Sequence, residues 1–260
     1  MTDAQYEVYA IKYAHHERRA SENFIGGDPH DGPMPLDYFV WLIRGNGREI
    51  VVDTGFSAAT AARRRREHIR CPTEGLRSLD VDSGKIKDVV ITHLHYDHVG
   101  NFDLFPAATF HLQDREMQYA TGRHMAQPVF SGAFDVEDVI GMVRNTYAGR
   151  VLFHDGDAEL AAGVSLHFIG GHTMGLQVVR VVTRRGNVVL ASDASHFYAN
   201  MEQVRPFPIV YSVADMVEGY ARLRALADSP AHIIPGHDPL VLARYPAPVK
   251  ALQGIVARLD

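Results

Sequence analysis

Short apolar runs rich in Val, Ile, Tyr and Phe recur along the chain, several closed by Gly, Asn or Asp, which is the pattern strands leave in a sequence. They predict strands over 6–13, 38–43, 49–52, 89–92, 164–169, 177–182 and 187–191. The segment RGNGR links the second and third of these and TRRG links the last two, so both pairs are expected to run antiparallel through hairpins. Apolar residues at three- and four-residue steps (Val213, Met216, Val217, Tyr220, Leu223, Leu226) predict a helix over Val213–Leu226, opened by a capping box of Ser212 and Asp215. Further helices are expected after His98 and over roughly 58–68, 114–125 and 248–259. Strand-rich stretches in both halves, each followed by helices, predict two packed sheets with helices outside them.

With 260 residues and 46% hydrophobic content, the chain can build one sizeable core, and it is read as one domain over 1–260. A net charge of −5, from 26 basic and 31 acidic residues, gives no field that gathers nucleic acid or an anionic membrane. The four arginines 63–66 are accordingly read as a solvated helix face. Neither a signal-peptide pattern at the N-terminus nor a run of about 18 apolar residues is found, so a cytoplasmic, soluble protein is expected. The single cysteine, Cys71, excludes an internal disulfide and a multi-cysteine metal site. Fifteen histidines raise the expectation of metal or acid-base chemistry, and spacing locates it.

The segment from Val89 to Gly100 begins as a buried strand and ends in His93, His95, Asp97 and His98, four potential ligands within six residues. In an extended segment His93 and His95 face the same way and can grip one ion through their imidazoles. Asp97 and His98 follow at the turn, within reach of a second ion. Three more candidates occupy the ends of apolar strands: His172 in IGGHTMG, Asp193 in VVLASD, where one carboxylate can bridge two ions, and His237 in IIPGHD. Ligands from several strands converge only at one edge of a sheet sandwich, which makes them a set.

In order and context these residues resemble the metallo-β-lactamase superfamily, whose HxHxDH motif, later His, bridging Asp and final His match His93, His95, Asp97, His98, His172, Asp193 and His237. The resemblance covers most of the chain and implies a four-layer αββα sandwich, with Asp53 of the early Asp-Thr-Gly turn supporting the metal-site loops. Zinc β-lactamases typically carry Cys where this chain has Asp193, so the resemblance points away from antibiotics and towards the N-acyl homoserine lactonases and other small-lactone hydrolases. Those enzymes usually have Tyr where this chain has His196, and HTPGH where it reads His172-Thr-Met-Gly-Leu176.

What the resemblance implies is a pair of divalent ions, zinc foremost with Mn, Fe or Co as alternatives, and a hydroxide held between them that opens a lactone or small ester. Asp97 would orient that nucleophile, and His196 would donate a hydrogen bond where the lactonase Tyr does. The expected partner is a small-molecule substrate; a homodimer is left open. A glyoxalase II-like thioesterase is the nearest alternative and would favour a basic recognition patch near the site. A mononuclear iron sulfur dioxygenase is the more distant one. Outside the motif, His15, His16, Arg18 and Arg19 are read as an exposed loop, with a pocket wall that meets an acidic or polar substrate as the alternative, and His111, His154, His167 and His232 as structural. Phe130, Phe134, Phe197, Tyr198, Phe207 and Tyr211 are read as substrate lining or core.

Overall fold

A computed structural model describes residues 5–260; the first four residues, part of the N-terminal reading above, lie outside the described residues. The strands are β1 (Glu7–His16), β2 (Leu36–Gly45), β3 (Arg48–Val52), β4 (Glu67–His68), β5 (Asp88–Val90), β6 (Thr109–Gln113) and β7 (Val151–His154), followed by β8 (Ala158–Ala161), β9 (Val164–Phe168), β10 (Gln177–Thr183), β11 (Gly186–Ser192), β12 (Ile233–Pro235) and β13 (Val256–Arg258). One sheet has the order β13-β1-β2-β3-β5-β6-β7, with the short β4 also on β1, and the other has the order β12-β11-β10-β9-β8. Both expected hairpins form, Trp41 standing opposite Val52 and Val179 opposite Leu190.

Alternation along the strands decides what each face buries. In β1 and β2, Val8, Ala10, Trp41 and Ile43 point into a core shared with Val179, Val181, Val188 and Leu190 of the second sheet. Tyr9, Ile11, Val40 and Leu42 point the opposite way, into a core closed by Leu76, Val99 and Met142 from the helical layer. Met216, Tyr220 and Leu223 bury the predicted helix Val213–Leu226 against the second sheet, and Ser212 caps it by accepting from Asp215 N–H. The result is the αββα layering expected. Among the described residues, no helix is long and apolar enough to cross a membrane.

Two predicted helices end differently. Over 248–259 only a single turn, Lys250–Leu252, is helical, and the chain then becomes β13, whose Val256 and Arg258 pair with Ile11 and Tyr9. The open edge of β1 offers ladder hydrogen bonds that outweigh a weak helical pattern. Over 58–68 the helix stops at Arg64, because Arg65 adopts a left-handed conformation (φ 56°) and turns the chain so that Glu67 and His68 pair with β1. The strands β6, β7 and β8 and the helix Val136–Tyr147 escaped the pattern, β6 because TFHLQ mixes polar residues into a fully sheet-flanked position.

Within that helix, Asp138 has a carboxylate oxygen without a hydrogen-bond partner among the described residues, and burial, with Asp135 beside it, pushes its pKa up to about 7 despite Arg63 and Arg64. The folded state therefore holds this proton more tightly than the unfolded chain, and stability falls as pH rises from about 4 to about 7. Asp138→Asn is expected to gain about 1–2 kcal/mol at pH 8, after allowance for its partial exposure, and nothing near pH 4. Urea denaturation at the two pH values checks this, and an equal gain at both would refute the assignment.

Candidate metal centre

Strands β3, β5 and β6 run parallel to one another. In the second sheet β9 and β11 are both antiparallel to β10, and β12 is parallel to β11, so these three also share one direction. Gln177 fastens the sheets together where these strands end, its N–H donating to Thr92 O (3.0 Å) and its amide to the carbonyls of Ile91 and His111 (2.9 Å each). Residues just past the C-terminal ends of the six strands thus meet at one edge. Asp53 follows β3, the 93–98 segment follows β5, His172 follows β9, Asp193 follows β11 and His237 follows β12.

The seven predicted ligands are brought together, and all are buried. His93 Nε2 lies 3.0 Å from His95 Nδ1, and His172 Nε2 lies 2.9 Å from the same nitrogen. Asp193 Oδ2 faces this trio, 3.2 Å from His172 Nε2 and 3.8 Å from His93 Nε2. Its other oxygen, Oδ1, faces the remaining group, 3.3 Å from His98 Nε2 and 2.9 Å from His237 Nε2, while Asp97 Oδ2 stands 3.7 and 3.8 Å from those two nitrogens. Donors bound tetrahedrally at zinc distances sit roughly 3.3 Å apart, so both groups have the spacing of a coordination sphere.

The far nitrogens show which lone pairs point inward. His172 Nδ1 donates to Ile209 O (2.7 Å) and His237 Nδ1 to Asp37 O (2.9 Å), which leaves each Nε2 as a bare acceptor. His98 Nδ1 donates to Asp53 Oδ2 (2.7 Å), and Asp53 also accepts from Thr92 N–H (2.8 Å) and Thr92 Oγ1 (2.9 Å). Asp53 therefore sits where the resemblance put it, holding the 92–98 segment. Acceptor lone pairs facing one another in a buried space call for a positive charge between them, a metal ion or a proton, and His98 Nε2 and Asp193 Oδ1 lack a hydrogen-bond partner among the described residues. Gly236 permits this packing, since a Cβ there would stand 2.8 Å from Asp193 Oδ1.

The electrostatics divide the donors: His93 and His95 are held neutral, whereas His98 among three carboxylates favours a positive charge, from a proton or an ion. Burial drives the pKa of His93 and His95 well below the usual histidine value, as ligand imidazoles require. Burial opposes charge on His98 too, but the carboxylates of Asp193, Asp53 and Asp97 overrule it and raise its pKa. Asp193 is buried, which disfavours its charge, yet the surrounding histidines hold its pKa well below the carboxylate range.

Other expected residues fall into two groups. His196 belongs to the centre: its Nε2 is 3.0 Å from Asp193 Oδ2, its ring stacks on Phe207 at 3.7 Å, and it forms a third potential ligand cluster with Asp193 and His237. Phe134 packs edge-on against His95. Phe197 and Tyr198 are core, while Phe130 and Tyr211 join Tyr119 and His124 in an aromatic cluster that touches the centre through Phe134, on which Tyr119 packs. His111, His154, His167 and His232 find ordinary partners, as expected.

Two expectations are corrected. Arg18, read as part of an exposed loop, and Arg64 and Arg66, read as a solvated face, line the 140 Å³ cleft over the donors. The left-handed turn at Arg65 and the end of β1 put them there, and neither feature shows in local composition. Glu116 was also missed: fully buried in the helix turn that follows β6, it accepts from Leu94 N–H, Thr173 Oγ1 and Gly175 N–H and so ties two ligand loops together.

An αββα sandwich with an HxHxDH loop and single His, Asp and His donors at later strand ends is the architecture of the metallo-β-lactamase class. Residues 34–237 match the metallo-beta-lactamase superfamily, and the chain belongs to it. It is 29% identical over 172 residues to the N-acyl homoserine lactonase AttM of Azorhizobium caulinodans, covering 63% of this chain and 62% of that protein. With the N-acyl homoserine lactonase AttM of Rhizobium radiobacter it shares 27% over 241 residues, covering 84% and 88%. Among solved structures, a quorum-quenching N-acyl homoserine lactone lactonase superposes with a TM-score of 0.75 at 21% identity, over 91% of this chain and 93% of that one. An N-acyl homoserine lactone hydrolase with N-hexanoyl-L-homoserine at its catalytic metal centre superposes equally well, at 20% identity over 91% and 94%.

Proposed function

We propose that this protein is a dinuclear metal-dependent hydrolase that opens a lactone or related small ester, working as one domain in the cytoplasm. The observation that carries this reading is Asp193, whose two oxygens face two separate groups of donors. His93, His95 and His172 would hold one ion, Asp97, His98 and His237 the other, and Asp193 both. The donors are imidazoles and carboxylates without a thiolate, a set that suits zinc. When bound, such a pair supplies Lewis acidity for a carbonyl and brings the pKa of water from 15.7 towards about 7.

The chain's own groups do the rest. Asp97, at 9% the most exposed of the seven donors, turns Oδ2 towards the His98–His237 group, which leaves Oδ1 to accept from and orient an attacking water. His196 is clamped flat on Phe207 with Nε2 facing the centre, 3.0 Å from Asp193 Oδ2, and we assign its Nε2–H the hydrogen bond to the substrate's carbonyl or leaving oxygen once the ions engage Asp193. The relatives named as lactonases support the substrate class.

A panel of lactones, aryl esters and thioesters, assayed on metal-replete protein with metal content measured in parallel, tests the reading. Lactone opening with about two metal ions per chain, lost on chelation and restored by zinc, is expected. A glyoxalase II-like activity is favoured by one observation, the guanidinium groups at the mouth of the cleft. Fast thioester cleavage without lactone opening would establish it instead, and oxygen consumption with a single iron would overturn both.

A further inference from the structure

Arg18, Arg64 and Arg66 converge on the cleft from two elements far apart in sequence, the end of β1 and the turn after the helix Ala58–Arg64. Among the described residues, each is fixed by uncharged partners and none is ion-paired with a carboxylate. Arg18 donates to Asn23 Oδ1 (2.7 Å) and Glu22 O (2.6 Å), Arg64 to Gly132 O (3.0 Å) and Phe134 O (2.8 Å), and Arg66 to Tyr96 Oη (3.2 Å) and Arg64 O (2.8 Å). The neighbouring Arg63, outside the cleft, pairs with Asp135 in the ordinary way. Half-buried guanidinium groups held together by neutral partners cost repulsion and desolvation that folding alone does not require. The local field is visible at His16, whose pKa burial, Arg66 and Arg18 together lower to about 4.

One aromatic ring separates these cations from the candidate ligands. Arg18 lies over Phe207 (5.1 Å), which stacks on His196. Arg64 lies over Tyr96 (3.9 Å), the residue between His95 and Asp97. Arg66 reaches Tyr96, whose hydroxyl is 3.1 Å from that of Tyr38, and the Tyr38 ring stands edge-on to His237 at 5.3 Å. At 140 Å³ the cleft is well below the roughly 300–1,000 Å³ of drug-sized sites, so a small substrate fills it.

We infer that the physiological substrate is a small lactone or ester bearing a carboxylate a few bonds from the reacting carbonyl, held by Arg18, Arg64 and Arg66. The inference rests on the hydrolase reading and goes beyond it, because an N-acyl homoserine lactone is uncharged. Planar guanidinium groups match a carboxylate's two oxygens, and none of the three is paired with a carboxylate among the described residues.

The test pairs a γ-lactone carboxylic acid with its methyl ester on the metal-replete enzyme, compared by kcat/KM for lactone opening. The wild type is expected to prefer the acid by about tenfold or more, with the difference in KM, and Arg18→Gln and Arg66→Gln to reduce that preference towards unity. Arg66→Lys, which keeps the charge, should recover part of it. Arginine side-chain NMR gives a readout independent of turnover: the Nε–Hε signals of Arg18 and Arg66 should shift on titration with the acid and not with the ester. Equal rates for the two lactones, or a preference that survives both Gln variants, would overturn the anion site while leaving the hydrolase reading intact. If neither lactone is opened, lactone opening drops out of the hydrolase reading, and the titration alone decides the anion site, unshifted arginine signals refuting it.

Discussion

Asp193→Ala is expected to lower bound metal from about two ions per chain to below one and to cut kcat/KM by about 10³-fold or more, since several kcal/mol of charge stabilisation depend on the pair of ions. No other candidate ligand serves both groups: removing His172 or His237 takes one donor from one sphere, whereas removing Asp193 takes one from each. The backbone before it should survive, because the adjacent Ser192 is held by its pairing with Pro235 and by the Thr92–Ser192 hydroxyl contact (2.9 Å) rather than by the Asp193 carboxylate. Metal analysis, steady-state kinetics and circular dichroism on the same preparation check the three parts. A variant that keeps both metal ions and full activity would refute the bridging assignment. One that loses its circular dichroism would show that the carboxylate is structural, a result Asp193→Asn would then confirm by refolding without binding metal.

The candidate ligands were legible because each carries a local signature, an apolar strand that ends in a His or Asp. The 89–100 segment needs no knowledge of the rest of the chain, and the three later donors need only the idea that strand ends of a sandwich converge. The hairpins and the helix Val213–Leu226 were legible for the same reason, their periodicities and turns being contained within about a dozen residues. What stayed hidden depends on contacts made at long range. The strand β13 exists because β1 has an edge to fill, and no pattern in 248–259 announces that. Arg64 and Arg66 read as a solvated run because composition is blind to the left-handed turn at Arg65, which redirects part of the run into the cleft. His196 was singled out as a substitute for a tyrosine, and only the geometry shows that it also touches the Asp193 carboxylate.

Glu116 is the clearest case of a site residue without a sequence signal, and replacing it has the second-largest expected effect. It occupies the first turn of the helix Asp114–Ala120, a position where acidic residues are common and usually exposed. Here it is fully buried, and its two oxygens divide between two loops: Oε1 accepts from Leu94 N–H (2.9 Å), between the first two histidines, and Oε2 from Thr173 Oγ1 (2.6 Å) and Gly175 N–H (3.0 Å), just past the third. The loops can approach so closely because residue 175 is glycine; a Cβ there would fall 2.1 Å from Glu116 N. Glu116→Ala strands three buried donors, each worth about 1–3 kcal/mol when left unmade, so a loss of about 3–5 kcal/mol and a fall in Tm of roughly 10 °C are expected. His95 and His172, released from a common anchor, should also bind their ion about 10–100-fold more weakly. Glu116→Gln retains one acceptor oxygen and brings an amide against N–H donors, so it should fall between Ala and the wild type in both measurements. Thermal melts of the metal-free forms separate the stability loss from the metal effect, and competition with a metal buffer reads the latter. If Glu116→Ala melts like the wild type and binds both ions with unchanged affinity, the two loops are held by packing alone, and the carboxylate has no part in positioning the centre.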